Sequence, residues 1–417
     1  MRLLVVSQYF WPENFRINDL VAELVRRGHQ VTVLTGLPNY PEGKVFKQFL
    51  DDPSRYSNYG GAEVIRVPLI PRGQGGLRLM LNYLTFAISA SVVGLWKLRG
   101  RQFDVIFAYE PSPITVGLPA VLMRAIKRAP LVFWVLDLWP ETLKAIGVVR
   151  SPFLLNAVGK LVTFIYRHCD LILAQSNSFI PQIKKYAGER RRVVYFPNWA
   201  EAVFDNRAIT PASEVPLLPG GFNVMFAGNV GEAQDFPAIL AAAEILKSHV
   251  LIRWLIIGDG RMARWVADEI IRRNLQDRVV MLGRHSVEKM PSYFRHADAL
   301  LVSLKDEPIF SMTIPGKLQS YLAAGIPVVA MLNGEGAEVV ARSCSGLTCA
   351  SGDHIGLATS VLNLFQMTNE ERKIMGENGL AISAEEFGRD NLMSQLEVWL
   401  YQLHLQTKRA SCNGDST

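Results

Sequence analysis

The sequence is short of the features that announce most chemistries. Its 417 residues include four cysteines, and Cys169, Cys344, Cys349 and Cys412 fall at no spacing that suits a metal site or a disulfide framework. That usage fits a reducing compartment. There is no cluster of histidine and cysteine and no suitably placed DxD pair, so no resident metal is expected. The turn after the first strand, Gln8 to Asn18 (QYFWPENFRIN), contains no glycine, which excludes a dinucleotide fingerprint there. MRLLVVSQYFWPE has only a short apolar run before polar residues and proline, so no secretory signal is expected and the protein is expected to stay in the cytoplasm. Nothing resembles a nucleic-acid-binding module, so nucleic acid is not an expected partner. Charge is also absent from residues 79–96, LMLNYLTFAISASVVGLW, a run that just meets the lower length limit for a membrane-spanning helix.

What is present is a globular composition, 49% hydrophobic and 20% charged, in a chain too long for one core. Two domains of roughly 200 residues each are expected. Charge divides unevenly between them: residues 1–200 hold 25 Lys and Arg against 13 Asp and Glu, whereas the remainder holds 19 against 25. A basic first half suits an anionic membrane or a phosphorylated acceptor. Spanning by residues 79–96 is disfavoured, because the flanking segments Glu63–Pro68 and Phe103–Tyr109 read as strands of one sheet and the basic flanks on both sides set no orientation. An interfacial helix with one membrane-facing side fits better, and a wholly buried helix is the alternative.

Along the chain, Arg2–Ser7 reads as a buried strand, Phe15–Gly28 as a helix and His29–Thr35 as the next strand, a βαβ opening. Further strands are expected at Glu63–Pro68, Asp104–Tyr109, Leu131–Leu136, Asp170–Ala174 and Arg190–Tyr195. Residues 197–222 carry four prolines and read as a linker. A second alternating series follows, with strands at Asn223–Ala227, Ile252–Ile257, Val279–Leu282, Ala299–Ser303 and Pro327–Ala330. Helices are expected at 336–342, 353–366 and 391–405, and the tail from 406 to 417 is expected to be disordered. In the second series, Gly228, Gly258 and Gly260 follow strands, where a missing side chain lets backbone approach a phosphate or sugar; tight turns are the alternative. Thr313, Gly316 and Lys317 precede a helical run, so N–H groups and a lysine converge where an anion is stabilised. Loop 8–18, with Glu13, Asn14 and Arg16, and the Asp137-Leu138-Trp139-Pro140-Glu141 segment each follow a strand's carboxyl end, where ligands of parallel sheets bind.

Several motifs occur in a telling order: RGHQVTVLT at 27–35, DLWPE at 137–141, FAGN at 226–229, GDG at 258–260, ADA at 297–299 and AAGIPVV at 323–329. In this order the chain, over about residues 1–405, resembles bacterial glycosyltransferases of the large retaining family that includes sucrose and glycogen synthases. LPNYP at 37–41, GNVG at 228–231 with Gln234, and PGKLQSY at 315–321 are similar to a narrower group that builds O-antigen and colanic acid, some of them N-acetyl-L-fucosamine transferases.

The resemblance implies an α/β chain of the GT-B fold, with two facing Rossmann-like α/β/α domains and a cleft between them: 1–200 for the acceptor, 201–390 for the nucleotide sugar, and a C-terminal helix at 391–405. It implies a UDP-linked donor, metal-independent transfer and an acceptor sugar on undecaprenyl diphosphate, with the enzyme peripheral on the cytoplasmic face of the inner membrane. Two family glutamates fall on Met312 and Ser320, and the family's cationic pair on Asn229 and Gln234. Lys317 is therefore the expected diphosphate contact, with Arg284 or Arg261 in support. The expected donor residues are Gly228, Asn229, Gln234, Gly258, Gly260, Arg284, Thr313, Lys317, Ser320 and Glu338; the expected acceptor residues are Glu13, Asn14 and Arg16. Asp137 is the expected catalytic carboxylate, with Glu141 as its partner; a capping or turn role is the alternative for both. His285 reads as a loop histidine. Two other functions share the architecture, a UDP-sugar 2-epimerase and a non-catalytic nucleotide-sugar-binding assembly protein.

Overall fold

Runs of branched and aromatic residues, buried on both faces, build two parallel sheets. The computed structural model describes residues 1–73, 76–145, 147, 149, 151–205 and 210–414. The chain divides into two units, one comprising Met1–Phe196 and Leu392–Thr417, the other Pro197–Asn391.

The first unit holds β1 (Arg2–Ser7), β2 (Gln30–Gly36), β3 (Asn58–Tyr59), β4 (Ala62–Val67), β5 (Val105–Glu110), β6 (Leu131–Val135), β7 (Leu171–Ala174) and β8 (Val193–Tyr195) in the order β3-β4-β2-β1-β5-β6-β7-β8. Only the short β3–β4 pairing is antiparallel. β5 and β6, VIFAYE and LVFWV, are buried at every position. The chain order reverses beside β1, between β2 and β5, so ligand-binding loops are expected beyond Ser7 and Glu110.

The helix Gly76–Lys97 crosses from β4 to β5 and packs on β2, β4 and the helix Gly117–Lys127. Its inner face, Asn82, Phe86, Ala87, Ala90 and Gly94, is buried, while Leu77, Met80, Leu81, Leu84, Ile88, Val92 and Trp96 are exposed. Because β4 and β5 belong to one sheet, the helix lies against the domain. A wholly buried helix does not form, since only 28% of its most apolar stretch is buried. Each large apolar side chain left in water forgoes about 1.5–3 kcal/mol of burial free energy.

The second unit holds β9 (Phe222–Ala227), β10 (Ile252–Ile257), β11 (Val279–Gly283), β12 (Ala299–Ser303), β13 (Val328–Met331) and β14 (Gly346–Cys349) in the all-parallel order β11-β10-β9-β12-β13-β14. Its reversal falls at β9, between β10 and β12. Strand β14 and the helix Asn369–Glu386 were not expected from the sequence, although Thr368 and Glu371 form a capping box that starts that helix.

Two expected boundaries shift. Of the expected linker at 197–222, residues 197–205 and 210–222 are no loose segment but a strap on the second unit. Arg253 donates to the Pro216 carbonyl at 2.6 Å, His296 Nε2 lies 2.7 Å from the Ala212 carbonyl, and Phe204 stacks on Phe294 at 5.6 Å. The C-terminal helix runs Arg389–Gly414, past the expected start of a disordered tail at 406; residues 415–417 lie outside the described residues. It returns to the first unit, where Glu397 accepts from Arg27 and meets His29 Nε2, both at 2.7 Å, and Trp399 meets Phe196.

Candidate functional site

In the second unit the strand ends put two glycine turns in contact. Gly258, at φ 139°, follows β10, and a Cβ there would sit 1.8 Å from the Gly228 carbonyl oxygen, so the position admits only glycine without moving the neighbouring turn. Gly228 follows β9 at φ 145°, and a Cβ on it would stand 3.1 Å from Lys317 Nζ. Gly260 lies against Val230 and Asn229 in the same way. The structure thus brings Gly228, Asn229, Gly258, Gly260 and Lys317 together.

Lys317 lies in the first turn of the helix Gly316–Ala324. Its Nζ sits 3.8 Å from the centroid of the Phe226 ring and has no hydrogen-bond partner among the described residues. Burial brings its pKa down to about 7. The helix N-terminus adds N–H groups of the same electrostatic sign.

The other expected donor residues divide. Gln234 Oε1 accepts from the Gly231 N–H at 3.2 Å, shaping the loop after β9, and its carbonyl accepts from Ser303 Oγ at 2.7 Å. Asn229 and Arg284 are exposed beyond β9 and β11. The Thr313 hydroxyl donates to the Ile309 carbonyl at 2.9 Å and so serves its own loop. Ser320 is buried and donates to Glu201 Oε2 at 2.7 Å, so a carboxylate from the strap stands beside a position where the resembled family has its own. Glu338 is exposed on the helix Glu335–Arg342; the acid buried at that helix's start is Glu335. His285 bonds to the Leu282 carbonyl and to Tyr293, a loop role.

In the first unit Asp137 follows β6 and is partly exposed. Its carboxylate accepts from Thr142 Oγ1, and from Trp139 Nε1 at 3.1 Å, and Ser112 also bonds to it. Burial raises its pKa against those bonds. Glu110, at the end of β5, is wholly buried, and burial, then the charge of Asp137, push its carboxyl well above the usual range. Burial works against charge on both of these neighbouring carboxyls, most strongly on Glu110. Tyr83, from the inner side of the helix Gly76–Lys97, bonds to Ser112 and meets the Trp139 ring at 6.2 Å.

Glu141 points elsewhere, accepting from the Tyr186 hydroxyl at 2.9 Å. Glu13 is buried, and its carboxylate accepts from the N–H groups of Asn39 and Tyr40, both at 2.7 Å, and of Phe10 at 3.2 Å. Its structural work is to tie the loop after β1 to the loop after β2, while burial lifts its pKa to about 7. Asn14 is exposed beside it. Arg16 opens the helix Arg16–Arg26, its N–H bonded to the Tyr109 hydroxyl. Beside this loop Gln8 donates to Asn82 at 2.7 Å, again linking the strand ends to the apolar helix. Among the described residues, no three His, Cys, Asp or Glu side chains are grouped to hold a metal ion.

Glu110, Ser112, Tyr83 and Glu201 were not singled out in the sequence. Glu110 and Ser112 lie in YEPSP directly after a buried strand, the same signal that marks DLWPE. Glu201 gave no signal, because its contact with Ser320 is set by how the strap packs.

Comparison with known proteins gives two family matches, a glycosyl transferase 4-like domain over residues 14–199 and a glycosyl transferases group 1 domain over residues 221–367. The probable glycosyltransferase WbjE of Pseudomonas aeruginosa is 26% identical over 69% of this chain and 74% of its own. The putative colanic acid biosynthesis glycosyl transferase WcaI of Escherichia coli K12 is 25% identical over 78% of this chain and 82% of its own. The crystal structure of Anabaena Alr3699/HepE in complex with UDP matches at a TM-score of 0.67 and 16% identity, covering 96% of this chain and 100% of that one, a likeness of fold.

Proposed function

Because this chain belongs to the glycosyltransferases of the GT-B fold, with a 4-like domain followed by a group 1 domain, we propose that it transfers a sugar from a UDP-sugar to an acceptor on undecaprenyl diphosphate. The product is an intermediate of bacterial surface polysaccharide, the sugar is N-acetyl-L-fucosamine, and the anomeric configuration is retained. The names of the two relatives, one of them assigned to colanic acid, support the polysaccharide setting. The UDP held by the Anabaena protein on a like fold supports the donor.

The observation that carries the reading is Lys317: a buried ammonium without a carboxylate or hydroxyl partner, at a helix N-terminus and against a glycine turn. Such a group binds a diphosphate, and it stabilises the charge that builds on the leaving nucleotide without a metal. Gly228, Gly258 and Gly260 let that diphosphate approach the backbone. Glu201, held beside Ser320, offers a carboxylate for donor hydroxyls.

Asp137 does the complementary work. Its carboxylate accepts the acceptor hydroxyl proton or stabilises positive charge on the sugar ring, with Ser112, Thr142 and Trp139 fixing its direction. The basic first half and the exposed apolar face of Gly76–Lys97 suit attachment to the cytoplasmic face of the inner membrane, where such an acceptor resides.

Incubating the purified protein with labelled UDP-N-acetylhexosamines, membrane-extracted lipid acceptor and a chelator tests the reading. Label is expected in the organic phase from a UDP donor. Transfer from GDP or dTDP donors alone, or only after metal is restored, overturns it.

A further inference from the structure

At its carboxyl end, the exposed apolar face of the helix Gly76–Lys97 runs into a hollow of about 520 Å³. Trp96 and Lys97 of the helix, Arg99 and Arg101 just after it, and Glu63 and Arg66 of β4 form its walls. The charges there are unequal. Arg101 is paired with Glu63, and the Arg66 guanidinium is turned inward onto the carbonyls of Gly36 and Trp11. Lys97 makes its bond to the backbone carbonyl of Arg66 at 3.0 Å, and Arg99 lies over the Trp96 ring at 4.7 Å, so both cations meet no carboxylate among the described residues. Lys127, bonded to the carbonyls of Leu98 and Arg101, adds a third positive charge nearby.

We propose that this hollow takes the anionic head group of a membrane phospholipid while the adjoining face, Leu77, Leu81, Leu84, Ile88, Val92 and Trp96, enters the edge of the acyl region, so that attachment selects anionic bilayers. The proposal rests on the membrane reading of this helix and adds the site and its lipid chemistry. A helix of 22 residues lying flat presents about 33 Å of apolar edge. An apolar edge alone has no preference for lipid charge; the two unmatched cations and an aromatic ring at the interface supply one. Since Tyr83 on the inner side of the same helix reaches Ser112 beside Asp137, docking through this face holds the candidate catalytic carboxylate near the bilayer.

The test is co-sedimentation of the full chain with vesicles of phosphatidylcholine alone and of phosphatidylcholine mixed with phosphatidylglycerol. Binding is expected to the mixed vesicles, weakening at high salt. The double variant Lys97→Gln/Arg99→Gln should bind them roughly thirtyfold more weakly, at about fivefold per basic residue lost. The control Lys184→Gln/Lys185→Gln removes equal charge from another helix and should change binding much less; an equal loss means a diffuse field and overturns the head-group site. Equal wild-type binding to both vesicles overturns the site and leaves the membrane reading standing. Binding to neither, or a stable dimer in ultracentrifugation that Ile88→Asp dissolves, overturns both.

Discussion

If Lys317 receives the donor diphosphate, donor binding must be coupled to proton uptake. In water a lysine amine titrates at 10.5, and burial in this site brings it to about 7. Above pH 7 the free site is increasingly neutral, whereas the diphosphate demands the ammonium. Affinity for a UDP-sugar, whose diphosphate carries no titrating proton in this range, should therefore fall by approximately tenfold per pH unit once the lysine is mostly neutral, a loss of roughly ten- to fiftyfold from pH 7 to 9. Without donor the sign reverses. The folded chain binds fewer protons at Lys317 than the unfolded chain between about pH 7 and 10.5, so the second unit gains stability as pH rises through that window. Calorimetry in buffers of different ionisation enthalpy reads the proton number directly, with uptake approaching one at pH 8.5. Lys317→Met, which keeps the stem and removes the amine, should bind donor at least about tenfold more weakly and with no dependence on pH in this range. Wild-type affinity that stays level from pH 7 to 9 excludes Lys317 as the diphosphate contact.

Asp137→Asn keeps the bond from Thr142 but loses the charge, and should lower kcat about 10²- to 10⁴-fold with donor affinity unchanged, as steady-state kinetics beside calorimetry would show. Glu110→Gln, which mimics the protonated acid, should keep most of that activity, whereas Glu110→Ala opens a polar hole behind Asp137 and should lower both melting temperature and kcat. Gly258→Ala forces the Gly228 turn to move, so UDP affinity should drop below detection in calorimetry while far-ultraviolet dichroism stays near wild type. Thr368→Ala removes the capping box of Asn369–Glu386 and should cost about 1 kcal/mol in denaturant unfolding with turnover unaffected.

Much of the fold was legible because buried parallel strands announce themselves as short apolar runs. Val105–Glu110 and Ile252–Ile257 are examples, buried along their whole length. Gly346–Cys349 escaped because GLTC is short and weakly apolar, and it becomes a strand only by pairing with β13. The glycine turns and Lys317 were legible in the second unit, since a strand followed by glycine, or a lysine opening a helix, has a local geometry fixed by the backbone. Side chains in irregular loops were not. Glu13 resembled a ligand contact but is consumed by three backbone N–H groups, one from Phe10 in its own loop and two, from Asn39 and Tyr40, from a loop more than twenty residues away. Glu338 and Glu335 are three residues apart, and only the packing of the helix on its sheet decides that Glu335 turns inward. The strap from 197 to 222 looked like a linker because its prolines deny it a period, yet Pro216 and Ala212 hold it through their carbonyls, and a carbonyl acceptor leaves no mark in a sequence.

A metal-free UDP site organised by Lys317 can be read out by calorimetric titration of the full chain with UDP, GDP, dTDP and ADP in the presence of a chelator. Selective micromolar binding of UDP, lost in Lys317→Met, is the predicted result. Binding of none of the four, or equal binding of UDP by wild type and variant, contradicts it.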